Sequence, residues 1–261
     1  MTDISTAPHP FRFLAWTVAL SLPFHAWSVL RPIQGLPFGL PVSVVMIILP
    51  ALVATILTSR EGGARHARTL WHRIIDVDRI GDARWLAVAV LCMPLASLAA
   101  YVAMRALGQP LPGVIELSLS QAPVLIALFF FGALFEEIGW TGYATEPLQQ
   151  RYGVDGAGLL IGTVWALWHV PAWRLGQGHT IAWVAGQCAA TIAMRVIMGH
   201  IHAAGGRSLF LAVLFHAMIN TSWVLFPNGG SHYDPIVITP VLAAIAATLA
   251  LSCRAVAPKE A

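Results

Sequence analysis

The chain has 261 residues, of which 57% are apolar and only 10% charged, whereas a soluble domain carries about 25% charged residues. So few charges cannot coat a water-soluble globule of this size, and a formal net charge of +3 is too slight to argue for nucleic acid. What remains is an all-α polytopic membrane protein: a bundle of about eight transmembrane helices, read as a single membrane domain over residues 1–261.

A bilayer core takes about 20 mostly apolar residues per helix. Eight runs meet that requirement, at residues 11–30, 37–58, 85–107, 121–143, 156–174, 180–204, 207–226 and 235–253. None shows the strict alternation of a membrane barrel strand. Pro23, Pro50 and Pro94 fall in or near the ends of runs, where neighbouring helices can satisfy the freed carbonyls. Cys92, Cys188 and Cys253 are isolated in apolar sequence and read as buried free thiols. No small-residue cleavage site follows the first run, so a retained anchor is expected rather than a removed signal peptide.

Orientation follows from the arginines. The loop predicted between residues 59 and 84 holds Arg60, Arg65, Arg68, Arg73, Arg79 and Arg84, and so dense a loop stays cytoplasmic. Alternation then places Arg12, Arg151, Arg207, Arg254 and Lys259 on the same side, and only Arg31 and Arg174 opposite. Both termini are predicted to be cytoplasmic, in what reads as a bacterial cell membrane. The same arginines can also touch anionic lipid.

Ionisable residues inside spans are costly and are functional candidates by default. They concentrate in the second half: Glu136 and Glu137 in the fourth run, His169 in the fifth, Arg195 and His200 in the sixth, His216 and Asn220 in the seventh. Adjacent helical residues point about 100° apart, so the two acids cannot both serve one centre equally. One can face a cavity as a general base while the other takes a structural partner. An interfacial, hydrated pair of acids is the plainer alternative. His169 follows Trp165 by one turn, and that aromatic can wall a pocket or simply pack. His216 and Asn220 also share one helix face, where they can address one point or hold helices together.

Three motifs occur in order: Glu136-Glu137-Ile138-Gly139-Trp140-Thr141, Trp165-x-x-x-His169 and His216-x-x-x-Asn220. Over a core of about residues 121–226 the chain resembles the CPBP intramembrane proteases, related to the type II CAAX prenyl proteases. The resemblance implies an eight-helix bundle with a cavity reachable from the cytoplasm and the bilayer. It implies catalytic roles for Glu136, Glu137, His169, His216 and Asn220. Glu136 activates water, His169 assists, and His216 with Asn220 steadies the oxyanion. Two positions depart from the family pattern. Trp165 replaces the usual phenylalanine, and Thr141 stands where Glu-Glu-x-x-x-Arg has its arginine.

The leading reading is an intramembrane endopeptidase acting on a peptide or membrane-protein substrate. The alternative is a non-catalytic membrane scaffold or immunity protein on the same fold, for which Thr141 is the best support. A proton-coupled transporter is a third reading, weakened because no paired interrupted helices are visible. No cofactor is favoured. Zinc on Glu136, His169 and His216 is possible, but the chain has no HExxH pattern. Glu137 inside the bundle needs a positive or strongly hydrogen-bonding neighbour, or it stays protonated; Arg195, at a similar depth on another span, is a candidate partner, the alternative being that Arg195 contacts carbonyls or lines a wet cavity.

Overall fold

The computed structural model describes residues 8–30, 42–112 and 119–256. Residues 37–41 of the second predicted span, and Arg31 and Lys259, lie outside these. Eight α-helices follow in order among the described residues: α1 Pro10–Leu30, α2 Leu49–His72, α3 Arg84–Ala106, α4 Ala122–Glu137, α5 Glu146–Pro171, α6 Ile181–Ala204, α7 Leu209–Leu225 and α8 Pro235–Val256. There are no strands among those residues. The stretches Val45–Ile75, Arg84–Ala106, Ala122–Gly176, Ile181–Ala204 and Pro235–Ser252 are long and apolar enough to cross a membrane. Leu95, Leu98, Val124, Leu128, Phe131 and Leu167 are exposed along these stretches. In a membrane protein such a surface meets lipid. The chain is a polytopic, all-α integral membrane protein.

Two boundaries differ from the sequence expectation. The predicted loop after residue 58 is helical as far as His72, redirected at Gly63, whose φ of 75° favours glycine. This extension holds because Leu70 is buried in the core and Trp71 Nε1 donates to Thr55 Oγ1 at 2.9 Å. Likewise α5 begins at Glu146 instead of about residue 156, with a similar break at Gly153 (φ 72°). Hydropathy finds where a helix enters lipid, not where its polar end stops.

Of the arginines assigned to one side, Arg73 and Arg207 meet at one end of the bundle. Arg73 donates to Glu146 Oε1 at 2.7 Å and to the Arg207 carbonyl at 2.9 Å, and the Arg151 guanidinium lies 5.9 Å from the Phe11 ring. Asp76 caps α7: its Oδ1 accepts from Ser208 Oγ at 2.8 Å and the Phe210 amide at 3.2 Å, and its Oδ2 from the Leu209 amide at 3.1 Å. The ends of α2, α5 and α7 are thereby tied into one belt.

At the centre, α5 presents Gly158 and Gly162 to α6. A Cβ on Gly158 would lie 2.9 Å from Val196 Cα, and one on Gly162 3.0 Å from both Ile192 Cα and Arg195 Cβ. Small residues one turn apart let membrane helices approach closely. Gly162→Leu is therefore expected to destabilise the fold by roughly 1–3 kcal/mol through overpacking. Exposed Thr163 on the same helix is the control. Thermal unfolding checks both, and an unchanged midpoint for Gly162→Leu would show that this contact is not needed.

Candidate active site

α4 ends in the two acids, and the chain then widens into a π-helical stretch, Ile138–Thr145. Such widened turns recur at functional sites. The adjacent carboxylates have different surroundings, as their angular separation requires. Glu136 borders a cavity of about 310 Å³, and its Oε2 accepts a hydrogen bond from Trp165 Nε1 at 2.9 Å. Glu137 is fully buried and is not among the residues lining that cavity.

Glu137 is held from three sides. Its Oε2 accepts from Arg195 Nη1 at 2.7 Å and from Thr141 Oγ1, and its Oε1 meets His216 Nδ1 at 2.9 Å. Arg195 Nη2 also donates to Thr141 Oγ1 at 2.9 Å and Thr145 Oγ1 at 3.4 Å. The candidate partner of Glu137 is thus in place, reaching across from α6. Thr141 participates as the hydroxyl between carboxylate and guanidinium. A charge-assisted hydrogen bond of this kind is roughly twice as strong as a neutral one.

Trp165 joins these groups. Its indole N–H reaches Glu136, its carbonyl takes the His169 Nδ1 hydrogen bond at 2.8 Å, and its ring lies edge-on to His216 with centroids 5.0 Å apart. A carbonyl only accepts, so Nδ1 of His169 carries the proton in this bond, and Nε2 offers a lone pair whenever the ring is neutral. Trp173 stacks on His169 at 5.2 Å and fixes the ring plane. Trp165 thereby makes a bond to Glu136 that a phenylalanine at this position could not make.

Glu136, His169, His216 and Asn220 all line the one cavity, contributed by α4, α5 and α7. Asn220 sits one turn beyond His216 and is half-buried. Four of the five sequence-predicted residues converge, and the fifth, Glu137, stands behind them against His216. Gln187, Trp173 and Trp223 also line the cavity and were missed. A search for ionisable groups passes over them, although a glutamine in an apolar run is itself a signal. Among the described residues, no three His, Cys, Asp or Glu side chains are grouped as a metal ion needs. Glu136, His169 and His216 are not among such groups, although the contacts of His216 Nδ1 with Glu137 and of Trp165 with Glu136 Oε2 leave His216 Nε2 and Glu136 Oε1 as donor atoms.

The cavity is lined along both α5 and α7. Its lining residues on α5 run from Trp165 to Trp168 and His169, and on α7 from His216 to Val224. Trp165 to His169 lie toward the end of α5 away from the arginine belt, and His216 lies near the middle of α7.

Residues 118–222 match the family model described as type II CAAX prenyl endopeptidase Rce1-like. The chain is similar to CAAX proteases. A CAAX prenyl protease 2 of Methanococcus maripaludis is 26% identical over 217 residues, spanning 78% of this chain and 79% of that relative. The family match begins in the stretch before α4 and ends within α7, so it covers all three motifs of this CAAX-protease-like chain.

Proposed function

We propose that this CAAX-protease-like protein is an intramembrane endopeptidase that hydrolyses a peptide bond with water activated by Glu136. The observation that carries the reading is the convergence of Glu136, His169, His216 and Asn220 on one cavity. Water between Glu136 and the free Nε2 of His169 attacks the carbonyl carbon, and Glu136 takes its proton. The oxyanion that forms is steadied by the Asn220 amide N–H, and by His216 Nε2 when that ring carries both protons. Collapse breaks the C–N bond, and the proton returns to the leaving amine. Glu137 touches no reacting atom. It positions His216, and Arg195 fixes Glu137 in turn. The guanidinium that Arg195 brings to Glu137 supports this reading over a non-catalytic scaffold, for which the missing motif arginine is the best argument.

The chemistry proposed is metal-free. The test is cleavage of a peptide library by the purified protein in bilayers, read by mass spectrometry before and after exhaustive chelation. New peptide termini are expected in both samples. Loss of cleavage on chelation, restored by stoichiometric zinc, would overturn the metal-free mechanism. No cleavage at all would overturn the peptidase.

A further inference from the structure

α7 separates two cavities. His216, Asn220 and Trp223 face the candidate active site, whereas Met218, Thr221, Ser222 and Leu225 line a second space of about 330 Å³ against Pro94, Leu98 and Tyr101 of α3. The two helices run side by side in one direction. A Cβ on Gly205, just before α7, would lie 3.5 Å from Trp85 Cβ at the start of α3, and at the other end the Tyr101 and Phe226 ring centroids are 6.3 Å apart. The cavity follows them from Pro94 and Met218, near the middle of each helix, to Tyr101 and Phe226, about 10 Å further at 1.5 Å rise per residue. Leu98 is 57% exposed, between equally exposed Leu95 and Val102, so one edge of the cavity lies on the surface that meets lipid.

Two hydroxyls on its wall are unanswered. Ser21, Thr55, Thr163, Thr239 and Thr248 each donate to the carbonyl four residues earlier, the usual local partner of a helical hydroxyl. Thr221 and Ser222 are 1% and 5% exposed, and neither hydroxyl has a partner. Thr17 and Thr58 lack one too, but they line neither cavity. Adjacent buried donors on one apolar space call for an acceptor inside it. No charged side chain is among the residues lining the cavity, so a neutral carbonyl suits it and a carboxylate does not. The hydroxyls lie about 5 Å from the end of α7, close to the level where hydrocarbon gives way to the polar part of a lipid. Arg105, one turn beyond Tyr101 on the same face of α3, is exposed and has no ion-pair partner among the described residues, so a phosphate fits beside it.

We propose that the α3–α7 cavity holds one acyl chain of a glycerophospholipid, whose ester carbonyl accepts from Thr221 and Ser222 and whose phosphate lies beside Arg105. The lipid braces the back of the helix that carries His216 and Asn220. The site depends neither on the peptidase reading nor on which membrane face the belt occupies.

The test uses the purified full chain in bilayers containing phosphatidylglycerol with a diazirine near the middle of one acyl chain. After irradiation, labelled residues are mapped by mass spectrometry. Labelling within residues 94–101 and 218–226 is expected to exceed that at lipid-facing Leu128 and Leu167 by threefold or more. Even labelling means a general lipid coat and overturns the site. In a second arm an ether-linked analogue, which lacks the carbonyl, replaces the ester-linked probe. Cavity labelling is expected to fall threefold or more, with Leu128 unchanged, and an equal fall is expected for the ester probe on Thr221→Val combined with Ser222→Ala. No fall with the ether probe, or a folded double variant that labels like the parent, overturns carbonyl recognition by these hydroxyls. The ether comparison uses the unaltered chain, so it decides the point even where the double variant does not fold. Excess unlabelled phosphatidylglycerol is expected to compete, and competition by palmitate alone overturns the phospholipid as occupant. No arm needs turnover, so a failure here is distinct from failure of the peptidase reading.

Discussion

Glu137→Gln and Arg195→Met each destabilise the protein by about 3–5 kcal/mol, and the double change by clearly less than the sum. Both side chains are buried, at 0% and 2% exposure, with 2.7 Å between charged atoms. Removing the carboxylate leaves a guanidinium in the bundle whose remaining partners, the Thr141 and Thr145 hydroxyls, Met198 and the Trp165 ring, carry no charge. Removing the guanidinium leaves a carboxylate with Thr141 and His216. Either residue alone is an uncompensated buried charge. The double change removes the charge problem and leaves mainly a packing loss. Thermal unfolding of the four proteins supplies the cycle. Strictly additive effects would show that the pair is adjacent but not energetically coupled.

Glu136→Gln lowers turnover by about 10²–10⁴-fold with little effect on folding. Glutamine keeps the shape and can still accept from Trp165, but it cannot take a proton from water. The carboxylate borders the cavity, so no buried ion pair is broken. Asn220→Ala costs less, about 10²–10³-fold, as expected for one oxyanion donor. Rates on a cleaved reporter peptide, with unfolding midpoints alongside, separate catalysis from stability. Wild-type turnover in the Glu136 variant would eliminate it as the base.

The apolar runs made the spans legible because the bilayer imposes a length and a composition on every crossing. The polar extension of α2 past Gly63 and the early start of α5 at Glu146 escaped that test, since water-facing turns obey neither rule. Charge inside lipid made Glu136, Glu137, His169, His216 and Arg195 stand out one by one. The Glu137–Arg195 pair could be framed as a candidate because a buried ion needs an opposite and depth allowed the reach, but carbonyl or water contacts for Arg195 stayed open until the 2.7 Å contact was seen. What stayed hidden depended on side-chain direction: the turn of Glu137 away from the cavity, the Trp165 bond to Glu136, and the unpaired oxygen of Gln187. Asp76 was equally silent, as its role as the cap of α7 comes from a residue 132 positions away in sequence.

The central claim is that this site is complete, with the arginine missing at Thr141 supplied instead by Arg195. The measurement is the cleavage rate of Arg195→Met against that of Arg195→Met combined with Thr141→Arg, under conditions where both remain folded. Position 141 lies one turn from Glu137 and already contacts its carboxylate, so an arginine there can restore the charge from α4. The expected result is a large loss of cleavage in the single variant and substantial recovery in the combined one. Full activity in Arg195→Met, or no recovery in a folded combined variant, would contradict the account.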